Sequence, residues 1–488
     1  MELLDKDLLS IQQVRTLIKN AKEAQKELAK MSQCQINKIV KAIADAGFEN
    51  SEELAKMAVK ETGFGRWQDK VIKNVFASKM IYEYLKDLKT VGIISRDSAE
   101  QTMEIASPMG VVAGLIPSTN PTSTVIYKAM IALKGGNSIV ISPHPNAKEC
   151  ILKTVEYIIE KAEKAGCPKG AIGCISIPTL QATNELMKHK DTAIILATGG
   201  EAMVRAAYSS GNPAIGVGPG NGPAFIDKSA DLKTSIKRIL DSKTFDNGTV
   251  CASEQSIVVE KMMEDAVLTE LKNQGAYILN NEEKEKLEKF IMRSNGTMNP
   301  QIVGKSVEQL AKLANLSNIP SSARVLVARE TNVGHQYAYS REKLTPIIAF
   351  YVENSINEVL EKCRAILLNE GSGHTFSMHC NDDTLIEKFS LAMPVSRITV
   401  NTPSTLGGIG ASTGLIPAMT LGCGAIGGSS TSNNIGPLDL INIKRVAKGK
   451  VEIEDLRKEA NVSYSSTTDA GDELVSLILN KILDELKK

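Results

Sequence analysis

One cysteine of the eight in this chain has surroundings that suit a nucleophile. Cys251 lies in the segment FDNGTVCASEQ, shortly after a Gly-Thr pair and before Ala-Ser-Glu, which could begin a helix. Backbone N–H groups and a helix dipole at that position would lower the pKa of the thiol from about 8.5 and favour the thiolate. Taken alone, the pattern fits a structural cysteine better than a reactive one, so other motifs must decide.

The remaining cysteines argue against a disulfide framework and against a metal centre. They are spread over the whole chain, with no CxxC pair and no histidine at metal-ligand spacing. We therefore expect reduced cysteines, several of them buried as small apolar side chains, and no metal site.

A second chemical signal is the segment AIILATGG, in which an apolar run ends at Thr198, Gly199 and Gly200 and a helix-forming segment follows. The N-terminus of a helix that follows a strand can bind phosphate. Because Gly-Gly pairs are common in turns, the prediction depends on the place of this pair after a strand. The segment predicts contact with the phosphates of a nucleotide.

The elements around these residues alternate between strand and helix. The runs GVVAGLIP, NSIVISP, AIGCISIP and DTAIILA are short and β-branched, and further strands are predicted at GPAFID, SIVVE, ARVLVA, PIIAFYV and RITVN. Apolar strands that alternate with helices are typical of a doubly wound α/β fold with parallel sheets. Residues 91–105 differ, because two apolar ends flank a polar turn, as in a β-hairpin.

The composition limits the classes of function. The chain has 488 residues, 42% of them hydrophobic, which is enough for two or three domains. Its 57 basic and 56 acidic side chains nearly cancel, so neither nucleic acid nor an anionic membrane is an expected partner. Without a recognisable signal peptide or a run of about 18 apolar residues, the sequence predicts a soluble, cytoplasmic protein that binds small molecules.

Seven motifs follow one another along the chain. They are SPMGVVAGLIPSTNPT, LATGG, GVGPGNGP, TFDNGTVCASEQS, EKLTPI, EGSGHT and LGCGAIGGSSTSNNIGP. In this order they resemble the aldehyde dehydrogenase superfamily, in particular its CoA-acylating branch, over about residues 12–450. The resemblance implies an aldehyde dehydrogenase-like α/β fold.

The resemblance implies roles for Cys251 and Asn120. In that family the matching cysteine is the nucleophile, and the matching asparagine donates its amide to the oxyanion. Addition of a thiolate to an aldehyde forms a tetrahedral oxyanion, which the Asn120 amide and the Cys251 backbone N–H could stabilise. Without the resemblance, Asn120 would be interpreted as a turn residue before Pro121.

The resemblance also implies a nicotinamide cofactor, with NAD as the default. Its site maps onto Thr198, Gly199, Gly200, Ser142, Pro143 and Glu342. The counterpart of Glu342 holds the nicotinamide ribose. Many members carry a lysine near the Ser142-Pro143 position that contacts the adenosine ribose, and its absence leaves the choice between NAD and NADP open.

Gly216 stands where hydrolytic members of the superfamily carry a glutamate that activates water. Without that base, water would be a poor acceptor for the acyl group and a thiol a better one. The resemblance therefore implies reversible, ping-pong transfer of the acyl group to coenzyme A. His374, in the segment GSGHT, fits a structural role equally well and is assigned no part in catalysis.

The expected domains also come from the resemblance. Residues 1–88 and 109–216 would bind the nucleotide, residues 217–430 would carry the nucleophile, and residues 89–108 with 431–450 would form the oligomerisation element of a homodimer or homotetramer. Acetaldehyde is the first expected substrate and propionaldehyde the second. The alternatives are succinate semialdehyde, which would need a basic residue in the pocket, and a noncatalytic microcompartment scaffold.

Residues 451–488 follow the motifs and begin with a Ser/Thr-rich tract, which predicts a flexible linker. In residues 472–488, apolar residues recur at helical spacing, which predicts an amphipathic helix. Such a tail resembles the encapsulation peptides that bind shell proteins of bacterial microcompartments. Packing on the same subunit or on a neighbour is the alternative, and a membrane surface fits less well because the polar face is not mainly basic.

Overall fold

The computed structural model describes residues 5–462 and 467–487. The chain begins with α1 (Lys6–Leu28), α2 (Gln33–Glu49), α3 (Ser51–Thr62), α4 (Trp67–Val75), α5 (Ile81–Leu85), β1 (Gly92–Asp97) and β2 (Thr102–Pro108). The first helices begin at capping residues: the side chain of Asp5 accepts a hydrogen bond from the Asp7 N–H, and Ser32 with Gln35 forms a capping box. A π-helical turn, Phe76–Met80, joins α4 to α5.

A five-stranded parallel sheet follows. Its elements are β3 (Val111–Ile116), α6 (Pro121–Lys134), β4 (Ser138–Pro143), α7 (Lys148–Lys164), β5 (Ile172–Cys174), α8 (Leu180–Lys188), β6 (Thr192–Ala197), α9 (Glu201–Tyr208) and β7 (Ala214–Gly216). The strand order is β5-β4-β3-β6-β7. Because the order reverses between β3 and β6, the carboxyl ends of these two strands mark the edge where such sheets bind ligands.

A seven-stranded parallel sheet forms the next part of the chain. Its elements are β8 (Pro223–Ile226), α10 (Leu232–Thr244), β9 (Ser256–Glu260), α11 (Glu264–Asn273), β10 (Ala276–Ile278), α12 (Asn281–Ile291), α13 (Val307–Leu313), β11 (Val325–Arg329), β12 (Ile347–Glu353), α14 (Ile356–Asn369), β13 (Gly373–His379), α15 (Asp383–Ala392), β14 (Val395–Val400) and α16 (Ser404–Gly408). The strand order is β10-β11-β12-β9-β8-β13-β14. The inner strands are almost fully buried, as helices on both faces require.

The last elements are β15 (Ile441–Ala447), α17 (Ile453–Glu459) and α18 (Thr467–Glu485). A three-stranded sheet has the order β1-β2-β15. The chain divides into two compact units, and the first, residues 1–94 and 106–443, contains both large sheets. Within the second unit, residues 95–105 and 444–488, Arg445 pairs with Glu104 at 3.1 Å and Lys450 with Glu100 at 2.7 Å.

The structure confirms the predicted α/β fold, since each strand segment named from the sequence forms a parallel strand. The predicted linker is interrupted by the short helix α17, and residues 463–466 of the Ser/Thr-rich tract lie outside the described residues. The predicted amphipathic helix is part of α18. In the part of the chain that the structure describes, no helix is long and apolar enough to cross a membrane.

Candidate active site

A cleft with a volume of about 260 Å³ lies in the first unit and collects loops from several strand ends. Residues 117–120 follow β3, residues 198–200 follow β6, residues 217–219 follow β7, and residues 245–251 precede β9. Six of the eight predicted site residues line it: Cys251, Asn120, Thr198, Gly199, Gly200 and Glu342. The topology therefore places the predicted nucleophile beside the predicted nucleotide-binding turn.

Cys251 lies in a turn and not at the start of a helix. Asp246, Asn247 and Gly248 all adopt left-handed backbone conformations, with φ of 50°, 51° and 77°. This reversal brings the chain from α10 to the cleft, and the residues after Cys251 continue into β9. The predicted helix after Cys251 is wrong, so the helix dipole expected from that segment is absent.

The predicted decrease in the pKa of Cys251 is also wrong. Burial is the main cause that raises the pKa of the thiol to about 12; the negative charges of Glu342 and Cys423 contribute to the increase, and Arg397 opposes it. At neutral pH, Cys251 is therefore a thiol and not a thiolate. Whatever stabilises negative charge during the reaction must do so as the charge forms.

Gly220 contacts both the backbone of Cys251 and the carboxylate of Glu342. A Cβ at Gly220 would overlap the carbonyl oxygen of Cys251, so only glycine permits this close approach of the two backbones. The Gly220 N–H also donates to Glu342 Oε1 at 2.9 Å. Burial and the neighbouring carboxylate of Glu370 raise the pKa of Glu342 to about 8.

Asn120 occupies the N-cap of α6, directly before Pro121. Its side chain does not cap the helix but points to the loop that carries Cys251. The Nδ2 group donates to the carbonyl oxygen of Thr249 at 3.1 Å, and Oδ1 accepts a hydrogen bond from Lys73 Nζ at 2.6 Å. The amide is thus held two residues from the nucleophile.

A group of buried charges that the sequence did not predict lies behind Asn120. We call Lys70, Lys73, Asp246 and Thr249 the lysine cluster. Both lysines pair with Asp246 Oδ2, Lys70 at 2.9 Å, and Thr249 Oγ1 donates to the same oxygen at 2.7 Å. The Asp246 side chain has no exposed surface, and its two cations hold the pKa of its carboxyl below the usual value despite burial.

Another side of the cleft is rich in glycine. We call residues 198–200 and 217–219 the glycine wall. Gly200 is the N-cap of α9, and a Cβ there would meet no other atom. The buried hydroxyl of Thr198 has no partner among the described residues. An open helix N-terminus with an unused hydroxyl fits the phosphate groups of a dinucleotide.

Comparison with known proteins agrees with this arrangement. The sequence pattern described as "Aldehyde dehydrogenase family" matches residues 7–329. The acetylating succinate-semialdehyde dehydrogenase of Clostridium kluyveri is 38% identical over 435 residues, which are 89% of this chain and 95% of that protein. This chain belongs to the aldehyde dehydrogenase family.

Another relative is the bifunctional aldehyde-alcohol dehydrogenase AdhE of Escherichia coli K12. It is 43% identical over 444 residues, which are 90% of this chain but 50% of AdhE. The chain thus spans about half the length of the first curated relatives that it matches.

Solved structures of aldehyde dehydrogenases share the fold. A probable aldehyde dehydrogenase from Listeria monocytogenes is 64% identical with a TM-score of 0.92, over 93% of this chain and 100% of that one. An acetylating aldehyde dehydrogenase from Geobacillus thermoglucosidasius is 52% identical with a TM-score of 0.90, over 92% and 99%. A propionaldehyde dehydrogenase from the Clostridium phytofermentans fucose utilisation bacterial microcompartment is 29% identical with a TM-score of 0.81, over 89% and 97%.

Gly216 and its neighbour Val217 differ in where a side chain would point. A side chain at Gly216 would collide with Val204 and Tyr208, away from the cleft, whereas Val217 lines the cleft. The structure therefore places Val217, and not Gly216, where a base could reach the thioester. Neither residue is ionisable, and Glu342 is the one carboxylate among the described residues that line the cleft.

Three remaining residues lie off the cleft. The hydroxyl of Ser142 bonds to that of Thr183 at 2.9 Å, and neither Ser142 nor Pro143 lines the cleft, although the adjacent His144 does. His374 is buried beside Thr375 and does not line the cleft either. Burial and the charge of Arg397 lower the pKa of His374 to about 3, so this imidazole is neutral.

Proposed function

We propose that this chain is a CoA-acylating aldehyde dehydrogenase that oxidises a short-chain aldehyde, acetaldehyde first and propionaldehyde second, with NAD as the hydride acceptor. The observation that carries the proposal is the make-up of the cleft: Cys251 and Asn120 line it, while residues 217–219 have no ionisable side chain. The one carboxylate of the described lining, Glu342, accepts the Gly220 N–H and is assigned to the cofactor ribose in this proposal. Water then lacks a dedicated base, which leaves CoA as the acceptor. In this proposal residues 1–88 and 109–216 bind the nucleotide, and residues 217–430 carry the nucleophile.

The Cys251 thiol first loses its proton to solvent, and the thiolate then adds to the aldehyde carbon. A carbon–sulfur bond forms, and the carbonyl electron pair moves to oxygen. The Asn120 amide and the backbone N–H of Cys251 donate to that oxygen. Before the substrate binds, Asn120 Nδ2 donates to the Thr249 carbonyl oxygen at 3.1 Å and, over a longer distance of 3.4 Å, to Thr119 Oγ1. Transfer of charge from the buried sulfur to this oxygen offsets the unfavourable ionisation of the thiol.

The glycine wall and Glu342 suit the cofactor. Thr198, Gly199 and Gly200 would hold the phosphates of NAD, and Glu342 would hold its nicotinamide ribose. When bound, NAD would supply a hydride acceptor next to Cys251, where collapse of the oxyanion leaves a thioester on the sulfur.

The acyl group then passes to CoA. The CoA thiolate adds to the thioester carbon, a new carbon–sulfur bond forms, and the Cys251 thiolate leaves with its electron pair. Since one thioester replaces another, this step is reversible and so is the whole reaction.

The lining of the cleft favours a small, uncharged aldehyde. Its apolar side chains include Phe245, Leu344, Ile409 and Met419. Lys73 is the one Lys or Arg among the described lining residues, and its N–H groups are bonded to protein oxygens. A carboxylate such as that of succinate semialdehyde would find no free partner, so kcat/KM should be at least about 10-fold lower than for acetaldehyde.

The test follows NADH absorbance with acetaldehyde in the presence and absence of CoA. With CoA we expect sustained NADH formation, and without CoA about one NADH per active site, because the thioester accumulates. Cys251→Ala should form none, whereas Cys34→Ala, at an exposed cysteine, should keep full activity. Sustained NADH formation without CoA would show hydrolysis and contradict the acylating function.

We also propose a homodimer or homotetramer, assembled through residues 89–108 and 431–450, and a cytoplasmic location inside a microcompartment. The second proposal rests on α18, whose described side chains from Gly471 to Lys487 are all exposed. Leu474, Ile478 and Ile482 are between 51% and 63% exposed, so this apolar side is free to bind a shell protein.

A fusion of residues 457–488 to a fluorescent protein should enter shells in shell-forming cells. The matched pair of variants is Ile478→Asp, which should abolish entry, and Lys481→Asp, which changes the charge of the same helix and should not. Diffuse fluorescence of the unaltered fusion would contradict encapsulation.

A further inference from the structure

We propose that Lys73 is a positioning residue of this active site, which orients the Asn120 amide so that its N–H groups face the oxyanion. This inference rests on the proposed function, in which Asn120 is an oxyanion donor. Lys73 lies in α4, far from Cys251 in the sequence, and its side chain is 3% exposed.

The contacts of Lys73 explain why it would act through Asn120 and not on the substrate. The acceptors within hydrogen-bond distance of its Nζ are Asn120 Oδ1 at 2.6 Å, Asp246 Oδ2, Thr249 Oγ1 at 3.2 Å and the Thr249 carbonyl oxygen at 3.3 Å. An ammonium group has three N–H donors, so these acceptors use all of them. No proton remains for a substrate oxygen.

The charge on Lys73 fixes which end of the amide faces the cleft. A side-chain amide is nearly symmetric in shape, and rotation by half a turn would exchange its oxygen and nitrogen. Next to an ammonium group only the oxygen can accept, so Nδ2 must point to Thr249 and the cleft. A charged donor on Oδ1 also polarises the amide and strengthens its N–H groups as donors.

Lys70 provides a matched control. Both lysines are buried and both pair with Asp246, but Lys70 makes its other hydrogen bond to the carbonyl oxygen of Thr119 at 2.8 Å, whereas Lys73 donates to the Asn120 side chain. A purely structural role of the cluster would make the two lysines equivalent. A positioning role makes only Lys73 important for the reaction.

The experiment measures the rate at which Cys251 is acylated in the full chain, in two assays. The first uses acetaldehyde with NAD. The second follows the burst of p-nitrophenol released from p-nitrophenyl acetate, which needs no cofactor. Removal of a complete oxyanion donor costs about 100- to 1000-fold in rate, so Lys73→Met, which leaves the donor in place, should slow acylation by about 10- to 100-fold with little change in KM. Lys70→Met should lose a similar amount of thermal stability but slow acylation by less than about 3-fold. Added to Asn120→Ala, Lys73→Met should have almost no further effect, because both act on one group.

The pH dependence gives a readout that stability alone would not change. The groups around Lys73 are Asp246, Lys70 and Asp69, and burial is the main cause that lowers its pKa to about 8. As the pH rises through 8, wild-type Lys73 loses its proton, whereas an arginine at this position stays charged. The ratio of the Lys73→Arg rate to the wild-type rate should therefore rise above pH 8, and this comparison remains available if Lys73→Met does not fold.

Equal slowing by Lys70→Met and Lys73→Met, multiplicative effects of Lys73→Met and Asn120→Ala, or a rate ratio independent of pH would each overturn the inference. Failure of the proposed function is distinguishable, because hydrolysis without CoA leaves the ester burst as a test of Lys73.

Discussion

The two sides of the cleft are built in opposite ways. In the lysine cluster, two lysines and an aspartate are buried and joined by hydrogen bonds around Thr249. The glycine wall contains no ionisable side chain, and the Thr198 hydroxyl has no partner among the described residues. The difference indicates where this site needs preorganisation. The lysine cluster fixes the side on which the oxyanion would form, whereas the glycine wall stays open for NAD and then for CoA.

Asp246→Asn should disrupt the lysine cluster more than any other substitution considered. The change keeps the shape of the side chain but leaves two buried lysines without a counter-charge, which should cost about 3–5 kcal/mol in the free energy of unfolding. Urea unfolding measures the loss. Glu201→Gln, which removes an exposed ion pair with Arg205 beside the glycine wall, should leave stability unchanged, and equal effects would remove the contrast between the two sides.

Asn120→Ala tests the chemical role of the fixed side. Loss of one oxyanion donor should lower kcat by about 100- to 1000-fold, while KM for the aldehyde changes little. Steady-state kinetics with CoA in excess provide the measurement. Thr198→Val, on the glycine wall, should instead raise KM for NAD and leave kcat within about 3-fold. A large kcat effect at Thr198 with none at Asn120 would reverse the assignment of the two sides.

Val217→Glu would place a base on the open side. Its carboxylate would face the cleft and activate water, so NADH formation without CoA should increase by about 10-fold, below the full effect of an evolved general base. Gly216→Glu should not do this, because its side chain would collide with Val204 and Tyr208. Gain of hydrolysis in the Gly216 variant alone would contradict the placement of these residues.

Among these variants, Glu342→Gln should have the smallest effect, and it should act on the pKa of Cys251 and on the pH dependence of stability. Because the Glu342 carboxylate raises the pKa of Cys251, its removal should move alkylation of Cys251 by iodoacetamide to lower pH. The folded-state pKa of about 8 lies above the ordinary 4.5, so the folded protein binds the extra proton and loses stability as the pH rises from 4.5 to 8. Glu342→Gln should lack this loss of stability between pH 4.5 and 8. Melting temperatures of the variant and the wild type at several pH values provide the test.

The sequence predicted the strands well, because buried parallel strands are continuous apolar runs with few alternative structures. It did not predict the lysine cluster. In α4, Lys70 and Lys73 are buried while Ile72 is 52% exposed, the reverse of the usual pattern of burial in an amphipathic helix. Only contact with Asp246, 173 and 176 residues away along the chain, makes this arrangement favourable. An ion pair between residues so far apart in the sequence produces no periodic pattern from which it could be predicted.

The surroundings of Cys251 were harder to predict for a different reason. Ala-Ser-Glu can begin a helix, but Ser256–Glu260 pairs with strands on both sides, and this long-range pairing determines the local conformation. Similarly, Ser142 was placed in the cofactor site by its motif, whereas its hydroxyl is held by Thr183. In both cases contacts between segments far apart in the sequence decided the outcome.

The three left-handed residues before Cys251 have a consequence for when the protein becomes reactive. Their conformation is held by Asp246, which is itself held by a helix near the other end of the chain. A partly folded chain therefore has an ordinary cysteine and no ordered N–H donors for the oxyanion. During refolding, acylating activity should therefore appear only after α4 and Asp246 have come into contact.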